Sequence, residues 1–176
     1  MEGLAHRGKR RPLLLVLSPL PDEGGGMDHV VGAELSWAAA RAGFPTLRFN
    51  WRGVGGSQGK RGSPASLVED ARAALEVARD NAGGGAVFIA SIGGSGKVAM
   101  SLRGDAAGVC LVSPTDIEEW VDDVWVVVAQ ADLSSRLQVA TGRLHVIPSS
   151  DRTFQRNLPL VGKAVVECLN VAETLE

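Results

Sequence analysis

At 176 residues, 45% of them apolar, the chain is long enough to bury a sizeable core within one domain. A net charge of −2 argues against a general nucleic-acid binder, and no stretch approaches the ~20 apolar residues of a membrane-spanning helix. Two cysteines, Cys110 in an apolar run and Cys168 in a helical one, point to buried reduced thiols and a cytoplasmic setting.

Arg7, Lys9, Arg10 and Arg11 make residues 1–12 a basic arm, ahead of a single domain over 13–176. Basic residues before Leu13–Leu17 imitate a secretion signal. The apolar run is short, however, Pro19 and Pro21 break the chain just after it, and no small-x-small cleavage site appears. Leu13–Leu17 therefore reads as a first buried strand, succeeded by a loop that ends in Gly24, Gly25 and Gly26. Asp28 is the expected N-cap of a helix whose apolar face carries Val31, Leu35, Ala38 and Ala39 and which Gly43 ends.

Thr46–Phe49 is a second strand, leading into a glycine-rich turn over 50–59. Ser66 and Glu69 match a capping box for a helix lined by Leu67, Ala71, Ala74, Leu75 and Ala78. Strands are expected over 86–90, Gly108–Val112, 124–128 and Leu144–Ile147. The intervening helices are a short one through Val98, Ala99 and Leu102, a brief one over 133–140, and a last one over 160–171. An acidic amphipathic piece around 117–121 carries Trp120, a candidate contact surface. Strands too apolar to face water, alternating with helices, predict a three-layer α/β/α sandwich with a mostly parallel sheet of about six strands.

The strand over 86–90 runs into the turn Ser91-Ile92-Gly93-Gly94-Ser95-Gly96-Lys97, and α/β proteins place either a phosphate or a nucleophile at such a turn. A phosphate loop, G-x-x-x-x-G-K-[ST], finds its Gly96-Lys97 here. Ser91 stands where the first glycine belongs and Val98 where magnesium needs a hydroxyl, so a nucleotide-binding reading is weak. A nucleophile elbow, G-x-S-x-G, is present with its serine and glycines exchanged.

The stretch Thr46 to Ser57 (TLRFNWRGVGGS) resembles the strand and R-G-x-G-x-S turn of the small, lidless α/β-hydrolases. Ser18 to Pro21 and Gly24 to Asp28 lie where that family often carries a histidine-proline loop and a G-G-x-M-D segment. Val146 to Phe154 (VIPSSDRTF) is similar to its closing strand and P-G-A-D-H-x-F turn. The resemblance runs from about Leu13 to the end and implies a sheet without a cap domain. It also implies a serine nucleophile, an aspartate and a histidine, in that chain order. Carried over by position, the nucleophile falls on Gly93, the acid on Asp132 and the base on Arg152; another register takes Asp151 as the acid and leaves no histidine downstream. Glycine offers no nucleophile, and arginine, with a pKa above ~12, is no base at neutral pH.

Nearby residues offer limited repair. Of the three histidines, His6 lies in the arm and His145 within the last strand, which leaves His29 as the substitute base. Ser91 and Ser95 are the alternative nucleophiles of an esterase or thioesterase, but a strand end and a first helical turn both favour small packing residues. What the resemblance leaves is half of an oxyanion hole: the amides of Gly94 and Leu20, with Ser95, Lys97 and Arg152 beside them. Such a cleft suits a small anionic ligand, with a protein partner as the other occupant; a structural Asp132–Arg152 pair would compete for the arginine. The expectation is a hydrolase-fold protein without Ser-His-Asp catalysis, needing neither metal nor cofactor.

Overall fold

The computed structural model describes residues 1–115, 123–132, 143–148 and 150–175. Among these residues, seven strands form one sheet: β1 (Gly3–His6), β2 (Leu13–Leu17), β3 (Thr46–Phe49), β4 (Val87–Ile92), β5 (Gly108–Val112), β6 (Val124–Ala129) and β7 (Leu144–Ile147). Their order across the sheet is β1-β3-β2-β4-β5-β6-β7, with β1 antiparallel to β3 and every other pair parallel. Every side chain of β2, β4 and β6 is buried, as the unbroken apolar runs require of strands covered on both faces.

Among the described residues, four α-helices cover the faces. Helices α1 (Val30–Arg41) and α4 (Leu158–Thr174) pack together over one core, which holds Leu14, Val16, Phe88, Ala90, Cys110 and Trp125. On the other face, α2 (Pro64–Asn81) packs on α3 (Gly96–Ser101) over Leu13, Leu15, Leu17, Val87, Ile89 and Val109. The buried stripe of α2 is Leu67, Ala71, Ala74, Leu75 and Ala78, as the periodicity predicts.

Three expectations need correction. Residues 3–6 of the basic arm are a seventh strand, bonded to β3 and clasped to the turn after it by Glu2. The Glu2 carboxylate accepts from Asn50 Nδ2 at 2.5 Å and Gly56 N at 2.6 Å. The N-cap of α1 is His29 rather than Asp28, and it makes no side-chain cap bond. Helix α2 begins a turn earlier than the capping box implies: Ser63 caps it and Pro64 fills the first position, where the missing N–H costs nothing. The brief helix expected over 133–140 and the piece carrying Trp120 lie outside the described residues.

This topology fixes where a ligand crevice can form. From β2 the chain crosses through α1 to β3 on one side; from β4 it crosses through α3 to β5 on the other, and α1 and α3 lie on opposite faces. The carboxyl ends of the neighbouring strands β2 and β4 therefore flank a switch point, where open α/β sheets bind their ligands.

Candidate functional site

Two loops meet at the switch point. The loop after β2 is pinned by Trp51, fully buried, whose Nε1 donates to the carbonyls of Pro19 at 3.0 Å and Ser18 at 3.3 Å. Farther along it, Asn50 Oδ1 accepts from Met27 N at 2.7 Å and Arg48 donates to Met27 O at 2.8 Å. Between these anchors, the amides of Glu23 and Gly25 bond the Leu20 carbonyl at 2.9 and 3.0 Å, curling the loop back on itself. Gly25 has no alternative there, since a β-carbon would lie 1.6 Å from the Pro19 carbonyl oxygen.

The loop after β4 turns through Gly93, at φ +62°, into a single 3-10 turn over Gly93–Ser95. This left-handed backbone costs an ordinary L-residue about 1–2 kcal/mol and costs glycine little. The turn is sharp, and at Gly93 it carries no side chain.

Glu23 fills the place. Its Oε2 accepts from the amides of both Leu20 and Gly94, each at 3.1 Å. A β-carbon on Gly93 would lie 3.2 Å from Glu23 Oε2, and one on Gly94 only 2.7 Å from Oε1. The two amides expected to be free are therefore converged on an internal carboxylate. Glu23 was not among the residues singled out from the sequence. The available signal was an acidic residue ahead of three glycines, in the loop that edges the elbow.

The remaining site residues separate. Ser95 is fully buried, and its hydroxyl is committed to the carbonyls of Leu17 at 3.1 Å and Ile92 at 2.9 Å while accepting from Ile92 N at 3.1 Å. The Ser95 side chain is thus held by backbone groups of β2 and β4. Ser91 extends β4 beyond the predicted end, buried with its hydroxyl unbonded. Lys97 is exposed on α3. With only six residues in α3, the amide pair rather than a helix dipole is what the turn offers an anion.

Asp132 and Arg152 meet as an ion pair, Nε to Oδ2 3.4 Å, with the arginine side chain 61% exposed. The pairing reading of these two residues is the one observed. Asp151 accepts from Thr153 N at 3.0 Å and Thr153 Oγ1 at 2.5 Å, bonds that hold its carboxyl below the usual range. A cleft of about 610 Å³ opens beside it, lined by Gln130, Ala131, Ser150, Gln155 and Arg156.

His29 is half-buried, and burial pushes its imidazole below the ordinary value of 6.5 against the opposing charge of Glu23. Among the described residues, no group of three or more histidine, cysteine, aspartate or glutamate side chains could hold a metal, and no helix is long and apolar enough to cross a membrane.

No protein-family model matches the chain. An uncharacterized protein of Rickettsia prowazekii (strain Madrid E) is 41% identical over 70 residues, a stretch covering 40% of this chain and 29% of that protein. Solved structures match far more of it. An alpha-beta serine hydrolase homologue from Coxiella burnetii aligns with a TM-score of 0.77 at 22% identity, over 95% of this chain and 90% of that one. A lidless serine hydrolase from Xanthomonas campestris gives 0.73 at 21% identity, over 95% and 88%. Est1E from Butyrivibrio proteoclasticus, with ferulic acid bound, gives 0.74 at 14% identity, over 99% and 96%.

The chain has an α/β-hydrolase fold. Within that fold the turn after β4 and the loop after β2 bring the Gly94 and Leu20 amides onto one Glu23 carboxylate oxygen, beside a glycine in the left-handed region.

Proposed function

We propose that this α/β-hydrolase-fold protein binds rather than hydrolyses: its elbow receives the carboxylate of a small ligand or of a partner, in exchange for Glu23. The observation that carries the reading is the convergence of the Leu20 and Gly94 amides on one carboxylate oxygen beside Gly93. Hydrogen bonds to a charged acceptor are roughly twice as strong as neutral ones, so an amide pair already holding one carboxylate suits another. The ferulic acid bound by Est1E is itself a carboxylic acid, in keeping with that ligand class. Arg152, paired with Asp132 and largely exposed, is a second-rank contributor, because a ligand must first draw it from its partner.

Hydrolysis by Ser91 or Ser95 is the rival. Both hydroxyls are buried, and that of Ser95 is fully bonded. The deciding experiment exposes the purified protein to short acyl esters, acyl thioesters and a fluorophosphonate that labels activated serines. The binding reading expects turnover at background and no adduct. Stoichiometric labelling of Ser91 or Ser95 would establish the rival.

A further inference from the structure

We propose that the groove between α1 and the β1–β3 edge of the sheet is a ligand site of its own, shaped for a free α-amino acid with an apolar side chain. It is a cavity of about 460 Å³. Strand β1 contributes His6 to its walls, β3 contributes Arg48, α1 contributes Val30, Glu34 and Trp37, and α4 contributes Leu158. The Leu20 and Gly94 amides are not among those walls.

Two opposite charges line this cavity, and neither is ion-paired among the described residues. Arg48 donates to the Met27 carbonyl at 2.8 Å, a neutral acceptor, while its Nε is buried and unbonded. Glu34 is half-buried, and that burial raises its carboxyl above the ordinary 4.5 with no cation to oppose it. Gly162 on α4 makes room for this carboxylate, since a β-carbon there would lie 2.7 Å from Glu34 Oε1. A guanidinium without an anion and a carboxylate without a cation each carry a desolvation cost that a partner would offset.

A ligand with both charges on one carbon supplies both partners at once. Its carboxylate belongs on Arg48, with His6 beside it. His6 lies opposite Thr46 across the β1–β3 pair and so shares a sheet face with Arg48. Thr46 Oγ1 takes only the Nδ1 of that imidazole, at 3.0 Å, which leaves Nε2 for the ligand. The ligand's ammonium then faces Glu34, and its side chain covers Val30 and Trp37, each 53% exposed without it. Arg41 stacks on the Trp37 ring at 4.8 Å and holds the indole in place. An acid without an amine would leave Glu34 unpaired, and an amine without an acid would leave Arg48 so, which is how the groove selects the zwitterion.

The test titrates the folded wild-type chain with L-phenylalanine, N-acetyl-L-phenylalanine and L-phenylalaninamide, followed by amide and indole NMR. L-phenylalanine should move the Trp37 indole and Glu34 amide resonances to saturation. Each blocked form should bind at least about tenfold more weakly, the loss of one charged hydrogen bond. Glu34→Gln should narrow the gap to the N-acetyl form and keep the gap to the amide, while Arg48→Gln should do the reverse. Because Arg48 also holds Met27, Glu34→Gln is the deciding variant, with thermal unfolding confirming that it is folded. Equal affinity for the three compounds, resonances that stay fixed, movement confined to Leu20 and Gly94, or an undiminished preference over the N-acetyl form in folded Glu34→Gln protein would each overturn the proposal.

Discussion

Glu23 reaches Gly94 across 71 residues of sequence to place one carboxylate oxygen 3.1 Å from its amide. The same oxygen takes the Leu20 amide, three residues before Glu23 on its own loop. On the reading proposed above, hydrogen bonds that a hydrolase holds in reserve for charge developing in the transition state are here made in the ground state.

Gly93→Ser tests this directly. The new residue must take φ near +62°, and its β-carbon would sit 3.2 Å from Glu23 Oε2. A loss of about 1–2 kcal/mol in unfolding free energy is expected from the backbone alone. Ester hydrolysis should stay at background, because a serine without a base is a poor nucleophile and its oxyanion amides are taken. Chemical denaturation and an ester assay read the two effects separately.

The N-terminal strand gives a second prediction. Deleting residues 1–6 removes β1 and bares the edge of β3, so the melting temperature should fall and self-association rise, read by thermal unfolding and light scattering. Within that strand's clasp, the Gly56 amide and then Asn50 hold the Glu2 carboxyl below its ordinary 4.5. A depressed carboxylate contributes stability above the unfolded value and loses it as pH falls through the folded one. Glu2→Gln should therefore cost stability at pH 7, with the gap to wild type closing below about pH 4.5.

Histidine titration supplies a third, with opposite signs at two sites. Burial lowers His29, so its stabilising neutral form is lost as pH falls from 6.5 through its folded value. His145 is raised, mainly by Cys168, so its contribution is full below 6.5 and is lost as pH rises through its folded value. In denaturant titrations from pH 5 to 8, His29→Gln should flatten a slope that rises with pH. His145→Gln should remove one that falls with it.

Features differ in how legible they are in the sequence because they depend on different things. Strands such as Leu13–Leu17 and Gly108–Val112 are runs of apolar residues that need burial on both faces, and their bounds are readable. The sharp turn after β4 is equally plain, since a run of glycines between an apolar strand and a helix marks it. β1 is not, because its four residues are all exposed and its partner is an edge that only the assembled sheet creates. The start of α2 is ambiguous because Ser63-Pro64 and Ser66-Glu69 are both good initiation signals, and the helix uses the earlier one. Glu23 escapes a sequence reading for a different reason. Its role depends on Trp51 holding Pro19 and on the loop curling over Leu20, contacts set by folding rather than by spacing.

The central claim is that the Leu20 and Gly94 amides form a carboxylate site with Glu23 as resident occupant. Glu23→Ala, whose own cost should stay below about 1 kcal/mol because the contacts are exposed, empties that site. An amide NMR titration of this variant with acetate is the most direct measurement. The Leu20 and Gly94 resonances are predicted to move together and saturate in the variant, while wild type responds only at much higher acetate. Saturating acetate, at a hundredfold excess over its dissociation constant, should also stabilise the variant by about 2.7 kcal/mol. Resonances that stay fixed in a folded Glu23→Ala protein, or that move identically in wild type, would contradict the claim.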